Sequence, residues 1–207
     1  KHQGCYNLLW QRINKVHTIS DDLYKHALEI GLNSDVIVEK ITPAIDTKLF
    51  FSTENPGLHE PLRILSVGRL NWKKGFEYSL QALKELKEEK IDFEYRIVGK
   101  GHYKETIIYS IHQLGLNNNV KLSGELSPEK VKKEMEWADI YIQPSIQEGF
   151  CNAVLEAQAL GLLCIVTDAE GLSENVINKQ TGWVVNKRNP HLIKEQIINI
   201  LKKDKIE

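Results

Sequence analysis

The chain has 207 residues, of which 42% are hydrophobic and 27% are charged, proportions that are ordinary for globular proteins. Its 27 basic residues nearly balance its 28 acidic residues, and the net charge of -1 argues against a general nucleic-acid binder. No apolar run approaches the roughly 18 residues of a membrane-spanning helix. The three scattered cysteines favour a reducing compartment over a disulfide framework.

Residues 1–45 differ from the rest of the chain. Two strand-like stretches, residues 13–20 and 36–45, flank a helical stretch at residues 21–32, and this unit is too short to form a core of its own. Residues 46–61 are polar and contain two prolines and a glycine, a composition typical of a linker. Because the chain begins with lysine rather than methionine, we expect it to be cut from a longer protein.

From residue 62 onward, strands alternate with amphipathic helices. Strands are predicted at residues 62–68, 93–99, 119–124, 139–144, 162–167 and 182–185. Helices are predicted at residues 75–90 and 102–116, after the caps Ser127 and Asn152, with Gly161 as a stop, and from Asn189 onward. This alternation predicts an α/β fold with a doubly wound parallel sheet.

Ligands of such sheets bind beyond the carboxyl ends of the strands. The predicted ligand-side loops are therefore residues 68–75, 99–102, 123–128, 143–152 and 167–174. Topology alone selects these five loops, before any side chain is considered.

The first of these loops, in the stretch VGRLNWKKG, is basic. Gly68 ends the strand, Arg69 and Lys74 lie in the loop, and Gly75 opens the helix. A guanidinium and an ammonium near a helix N-terminus favour an anion such as a diphosphate. A solvated basic loop explains the same residues equally well.

A second loop, in the stretch PSIQEGFCNAVLEA, carries two glutamates. Gly149 allows the backbone to approach a ligand closely, and Glu148 can accept hydrogen bonds from sugar hydroxyls. Glu156, inside the following helix, can bind the two hydroxyls of a ribose. In one continuous helix these carboxylates would lie about 12 Å apart along the axis, too far to share a proton or a metal. A surface glutamate and a helix-dipole partner are the alternative interpretation.

Other candidate sites are weaker. The stretch VGKGH lacks the third glycine of a dinucleotide-binding loop, and His102 within it is interpreted as a polar loop residue. Cys151 has no activating base nearby in sequence and is interpreted as a small packing residue. The sequence has no D-x-D pair to hold a divalent ion, so charge neutralisation would fall to Arg69, Lys74 and helix amides.

The ordered stretches VGRLNWKKG, RIVGKG, VKLSGELS, ADIYIQPSIQEGFCNAVLEAQALGLLCIVTDAEGLSENV and TGWVV closely resemble the nucleotide-sugar-binding half of glycosyltransferase family 4. The resemblance covers about residues 60–200. It implies that residues 62–207 are the Rossmann-like C-terminal half of a GT-B fold. Residues 1–45 would then be a truncated piece of the N-terminal acceptor domain with the hinge. Leu163 stands where the family usually has proline.

The resemblance also implies roles for individual residues. Arg69 and Lys74 would bind the donor diphosphate, Glu148 the transferred sugar and Glu156 the ribose. The backbone of Gly149, Phe150, Cys151 and Asn152 would contact the phosphate or the sugar. Backbone near residues 99–100 and 122–126 would contact the base.

The implied enzyme moves a sugar from a nucleotide-diphosphate sugar to a saccharide or lipid-linked acceptor in bacterial cell-surface polysaccharide synthesis. It retains anomeric configuration and needs no metal or other cofactor. We expect the chain to bind donor weakly and without turnover, because most of the acceptor domain is absent. We expect a cytoplasmic protein, with peripheral contact to the inner membrane through that domain. A non-catalytic nucleotide-binding or scaffold module and a GT-B nucleotide-sugar epimerase remain alternatives.

Overall fold

The computed structural model describes residues 3–51 and 57–204. Its N-terminal part consists of helix α1 (Gln3–Trp10), strand β1 (Lys15–Thr18), helix α2 (Asp21–Glu29) and strand β2 (Ile37–Lys40). Strands β1 and β2 form a parallel two-stranded sheet. The strands predicted at residues 13–20 and 36–45 were too long, and helix α1 was not predicted.

Residues 62–204 form an α/β unit around a second sheet. Its strands are β3 (Leu62–Val67), β4 (Phe93–Val98), β5 (Val120–Gly124), β6 (Ile140–Gln143), β7 (Leu163–Thr167) and β8 (Trp183–Val185). Its helices are α3 (Phe76–Glu88), α4 (Lys104–Gln113), α5 (Pro128–Trp137), α6 (Asn152–Ala159) and α7 (Pro190–Asp204), with short 3-10 segments at Trp72–Lys74 and Glu170–Asn175. Within the described ranges, no helix is long and apolar enough to cross a membrane.

The six strands are parallel and lie in the order β5-β4-β3-β6-β7-β8, which confirms the doubly wound sheet. Alternate side chains of the strands point to opposite faces, so each face has its own core. Ile64 packs in one core with residues of α3, α4 and α7. The next residue, Leu65, packs in the other core with residues of α6.

One of the two predicted helix caps differs in the structure. Ser127 occupies the N-cap position of α5 as predicted, although its side chain makes no capping bond. Cys151, not Asn152, occupies the N-cap position of α6. The position of Cys151 is set by a neighbouring loop. Asn175 Oδ1 accepts the Cys151 N–H at 3.1 Å, and Asn175 Nδ2 donates to the Cys151 carbonyl at 3.1 Å. A contact between residues so distant in the chain cannot be identified from local sequence.

The segment predicted as a linker, residues 46–61, packs against the α/β unit both before and after residues 52–56, which the structure does not describe. Phe50 is buried in the core that contains Leu65, and Leu58 packs against the core that contains Ile64. Asp46 begins a turn in which its carboxylate accepts the Lys48 N–H at 2.9 Å. The exact domain boundary within this segment stays a prediction.

The order of the strands places a switch point between β3 and β6. The chain proceeds outward from β3 through β4 and β5, then returns to add β6 on the other side of β3. The helices that follow two such strands lie on opposite faces of the sheet, and ligands bind in the crevice outside the carboxyl ends of these strands. Here the loops after these strands are residues 68–75, with the basic motif, and residues 144–151, with the first part of the glutamate motif.

Candidate functional site

The two switch-point loops are packed directly against each other. Gly75 has φ 62°, and a Cβ atom on it would lie 2.2 Å from the carbonyl oxygen of Pro144, so only glycine fits there. The Lys73 carbonyl accepts the backbone N–H of Ile146 at 2.6 Å. Side chains from motifs far apart in sequence are thereby brought to one crevice.

A cleft of about 480 Å³ opens between these loops and helix α2. Helix α2 contributes Leu23 and His26, the two loops contribute Arg69, Lys73 and Glu148, and the segment after β7 contributes Glu170. Cations can bind phosphate oxygens, and carboxylates can accept hydrogen bonds from hydroxyls. The cleft therefore suits a ligand that combines phosphate groups with hydroxyls.

Lys74 and Glu148, which we assigned to different parts of a ligand, form an ion pair with each other. Lys74 Nζ donates to Glu148 Oε2, and the two side chains are only 13% and 16% exposed. The stem of Lys74 crosses Gly68, where a Cβ atom would lie 3.2 Å from Lys74 Cε. The absent side chain at Gly68 therefore leaves room for the lysine to reach Glu148.

Arg69 is exposed at the cleft. Among the residues that the structure describes, none forms an ion pair or a side-chain hydrogen bond with its guanidinium. Lys73, which sequence reasoning did not select, also lines the cleft, and its ammonium lies 5.8 Å from the centre of the Trp72 ring. The loop thus presents two cations, Arg69 and Lys73, beside the paired Lys74.

The loop that carries Glu148 is held from the outside by the segment after β7. Glu170 Oε2 accepts the Glu148 N–H at 3.2 Å, and Glu170 Oε1 accepts from Lys187 Nζ at 3.2 Å. A Cβ atom at Gly171 would lie 1.8 Å from the Gly149 carbonyl oxygen, so the two segments touch backbone to backbone. Sequence reasoning selected this loop by topology but did not select Glu170.

Buried polar side chains lie beneath Glu148. Tyr141, Gln143 and Ser145 are all 0% exposed. The Tyr141 hydroxyl donates to Gln143 Oε1 at 2.8 Å, and Gln143 Nε2 donates to Ser145 Oγ at 2.8 Å. Ser145 Oγ in turn donates to Glu148 Oε2 at 3.2 Å. Burial raises the pKa of Tyr141 well above its ordinary value, so the phenol is neutral at pH 7.

The other predicted site residues lie along the start of α6. Gly149 lines the cleft, whereas Phe150, Cys151, Asn152 and Glu156 do not. Cys151 is 5% exposed, and burial raises the pKa of its thiol, as expected for a packing residue rather than a nucleophile.

Glu156 lies inside α6, whereas Glu148 precedes the helix, so the continuous-helix spacing does not apply. Glu156 is half-buried, and burial raises the pKa of its carboxyl.

The wall that α2 contributes is attached to the α/β unit by Glu174. Its carboxylate accepts the backbone N–H groups of Asp21 and Asp22 at 3.1 and 3.2 Å. Lys40 Nζ lies 2.7 Å from Glu174 and 2.6 Å from Asp21. Burial opposes the charge on Glu174, but these hydrogen bonds prevail and lower its pKa. This charged cluster fixes the start of α2, and the side chains of Ile19 and Leu23 pack near Gly149 beside it.

A six-stranded parallel sheet with a crevice at its switch point is the architecture of Rossmann-like domains. The family model described as glycosyl transferases group 1 matches residues 50–207. The chain therefore belongs to the group 1 glycosyl transferase family, as the sequence motifs predicted.

The curated relatives include two bacterial glycosyltransferases. The chain is 36% identical over 133 residues to the amylovoran biosynthesis glycosyltransferase AmsK of Erwinia amylovora, an alignment that covers 61% of this chain and 33% of AmsK. It is 32% identical over 143 residues to the putative colanic acid biosynthesis glycosyltransferase WcaL of Escherichia coli K12, with 66% of this chain and 35% of WcaL covered. The chain thus spans about a third of the length of these relatives.

A similar fold occurs in Anabaena HepE, solved in complex with UDP and glucose. The TM-score is 0.82 at 18% identity, and the match covers 97% of this chain and 57% of HepE. Because the covered part includes nearly all of this chain, the two-stranded N-terminal unit belongs to the shared architecture. This likeness confirms a GT-B fold that is truncated relative to the solved chain.

Proposed function

We propose that this chain is the donor-binding half of a glycosyltransferase that takes a sugar from a nucleotide-diphosphate sugar. The observation that carries the proposal is the crevice at the switch point, where Arg69, Lys73 and the Lys74–Glu148 pair meet. A diphosphate needs cations and backbone amides, and a sugar needs hydrogen-bond acceptors. Both kinds of group lie here within two adjoining loops.

In the proposed reaction, Arg69 and Lys74 stabilise the charge that grows on the departing nucleoside diphosphate. Cations fixed in place before the reaction act at no reorganisation cost, and this is a large contribution to catalysis. Glu148 accepts a hydrogen bond from the transferred sugar, while Glu156 accepts from the ribose hydroxyls. The backbone of Gly149 to Asn152 contributes N–H groups near the phosphate or the sugar.

We propose that transfer retains anomeric configuration and needs no metal ion, with Arg69 and Lys74 supplying the positive charge. The acceptor is a saccharide or a lipid-linked saccharide in bacterial cell-surface polysaccharide synthesis. The polysaccharide-related names of AmsK and WcaL support this assignment. The full-length protein would work in the cytoplasm or at the inner face of the membrane.

Calorimetric titration of the full-length protein with UDP, GDP, ADP and NAD tests the donor site. We expect one nucleoside diphosphate to bind, with UDP as the first probe, and NAD to fail. The affinity should fall in Arg69→Ala and persist in Lys133→Ala, which removes an exposed lysine of α5. Binding of none of these nucleotides to the folded protein would contradict the proposal and favour a scaffold role.

A second measurement tests the chemistry. Incubation with the matching sugar nucleotide and a saccharide acceptor should release the nucleoside diphosphate and form a glycoside. Proton NMR of the product reports whether the anomeric configuration is retained. Epimerisation of the donor sugar without transfer would instead identify a nucleotide-sugar epimerase.

A further inference from the structure

An ionised carboxylate has two oxygens with about four acceptor positions in total, so the protein partners of each Glu148 oxygen decide where a ligand hydroxyl can donate. Lys74 and Ser145 both bond to Oε2. Within residues 3–51 and 57–204, no hydrogen bond or ion pair involves Oε1. The carboxylate is thus anchored by one oxygen and offers the other one, and the anchor includes a buried hydroxyl.

The direction of the Ser145 hydroxyl follows from Gln143. A serine hydroxyl carries one hydrogen, whereas a glutamine amide has one end that only donates and one that only accepts. The accepting end, Oε1, faces two groups that carry hydrogen, the Tyr141 hydroxyl at 2.8 Å and the Cys151 thiol at 3.6 Å. The donating end therefore faces Ser145 Oγ, and the serine hydrogen is left for Glu148.

The orientation of Tyr141 agrees with this assignment. Its oxygen accepts the Val67 N–H at 3.4 Å, so its single hydrogen goes to another group. The nearest acceptor is Gln143 Oε1 at 2.8 Å, compared with 3.2 Å for the Val67 carbonyl. In the series of hydrogen bonds from Tyr141 through Gln143 and Ser145 to Glu148, each residue thus donates to the next one.

We propose that Gln143 and Ser145 are positioning residues for Glu148 in the glycosyl transfer reaction. Gln143 holds the Ser145 hydroxyl as a donor to Oε2, which fixes the carboxylate and keeps Oε1 available to a hydroxyl of the donor sugar. This inference rests on the proposed function. If these hydrogen bonds served only to satisfy buried polar atoms, their loss would lower stability but would not change the contribution of the sugar to binding.

The test compares two ligands in the full-length protein. Isothermal titration first identifies the nucleoside diphosphate among UDP, GDP and ADP, then measures UDP-glucose, GDP-mannose or ADP-glucose accordingly. The readout is the dissociation constant of the sugar nucleotide divided by that of the nucleoside diphosphate. In Ser145→Ala this ratio should rise roughly tenfold, because a hydrogen bond to a charged group is lost beside the sugar. The nucleoside diphosphate itself should bind as before.

Tyr95→Phe is the matched control. Tyr95 is also 0% exposed in the same sheet, and its hydroxyl lies 2.8 Å from Ser66 and 2.9 Å from Ser79, away from the cleft. This variant removes a buried phenol hydrogen bond of the same kind, so it should lower stability without changing the ratio. An equal change of the ratio in Tyr95→Phe and Ser145→Ala would overturn the inference.

Gln143→Glu tests the direction of the hydrogen bonds and serves if Ser145→Ala does not fold. The introduced carboxyl can donate to Ser145 only while it is protonated. When it ionises, it attracts the Ser145 hydrogen away from Glu148. The ratio should therefore stay close to that of the wild type at low pH and rise as the pH increases, relative to the wild type at each pH.

The outcomes separate this inference from the proposed function. If the wild type binds none of the nucleotides, the proposed function fails. If the wild type binds a nucleoside diphosphate and the ratio is unchanged in both Ser145→Ala and Gln143→Glu, only the positioning role is overturned. Glu148→Gln provides the reference value for the change of the ratio, because a positioning residue acts only through Glu148 and should not change the ratio more than loss of the Glu148 charge itself.

Discussion

Replacing Lys74 with methionine removes the ammonium from the pair with Glu148 while keeping most of the side-chain stem. The two side chains are 13% and 16% exposed, so the pair is largely shielded from water. Loss of one partner from a fully buried pair costs about 3–5 kcal/mol, because the other charge stays behind without its counter-ion. The remaining exposure and the bond from Ser145 reduce this cost, and we expect about 2–3 kcal/mol of lost unfolding free energy.

Urea unfolding of four proteins measures this cost: the wild type, Lys74→Met, Glu148→Gln and the double variant. The double variant should recover about 1–2 kcal/mol relative to the sum of the single changes, because it leaves no unpaired charge. Lys84→Met is the matched control. Lys84 pairs with Glu88 on the exposed side of α3, where the lysine is 38% exposed, and its loss should cost less than about 1 kcal/mol.

Nucleotide binding is measured on the same proteins. Lys74→Met should weaken binding of the nucleoside diphosphate roughly 10- to 100-fold, the range for one hydrogen bond with a charged group. The double variant should recover stability but not affinity. Single changes whose costs add to within about 0.5 kcal/mol, together with unchanged binding, would refute the role of the pair.

Three other predictions concern Gly68, Glu156 and Glu174. Gly68→Ala places a methyl group 3.2 Å from Lys74 Cε, so titration should show several-fold weaker diphosphate binding. The unfolding free energy should change by less than about 1 kcal/mol. Unchanged binding would show that the lysine need not cross this position. Glu156→Gln removes a carboxylate whose pKa is raised by burial, so the melting temperature at pH 7 should stay the same or rise. Nucleotide affinity should fall roughly tenfold. An equal loss of affinity for a dideoxy nucleotide would contradict ribose binding. Glu174 has a pKa below its ordinary value of 4.5, so its stabilising bonds are complete above pH 4.5 and are lost as the pH falls through the lower pKa of the folded state. Hydrogen exchange of the first amides of α2 should accelerate over that pH range. The same acceleration in Glu174→Gln would contradict this assignment.

The α/β fold was predictable because its determinants are local. Apolar positions in α3, including Phe76, Leu80 and Leu83, recur at helical spacing and are all buried. Residues 163–166 are a continuous apolar run within a strand that is covered on both faces. Helix α1 was not predicted, since its apolar residues Leu8 and Leu9 are exposed and produce no clear core-facing pattern.

The candidate site was only partly predictable. The residue types and spacing of Arg69, Lys74, Glu148 and Glu156 marked them from sequence, and their family resemblance suggested separate roles. The ion pair between Lys74 and Glu148 was not visible, because it joins residues 74 positions apart. Glu170 was missed for the same reason, since it acts on a backbone N–H group of another loop.

The sequence by itself determined the order of strands and helices, and hence which loops lie at the carboxyl ends of the sheet. It also determined the kinds of group available there, because charge and hydroxyl chemistry belong to the residues themselves. Only the tertiary structure decided which of these groups meet and which atoms remain available to a ligand. Gln143 and Ser145 show this clearly: in sequence they are two polar residues at a strand end, and their direction of donation follows from Tyr141, Cys151 and Glu148. Hydrogen bonds depend on distance and direction in space, and the local sequence pattern specifies neither between separate elements.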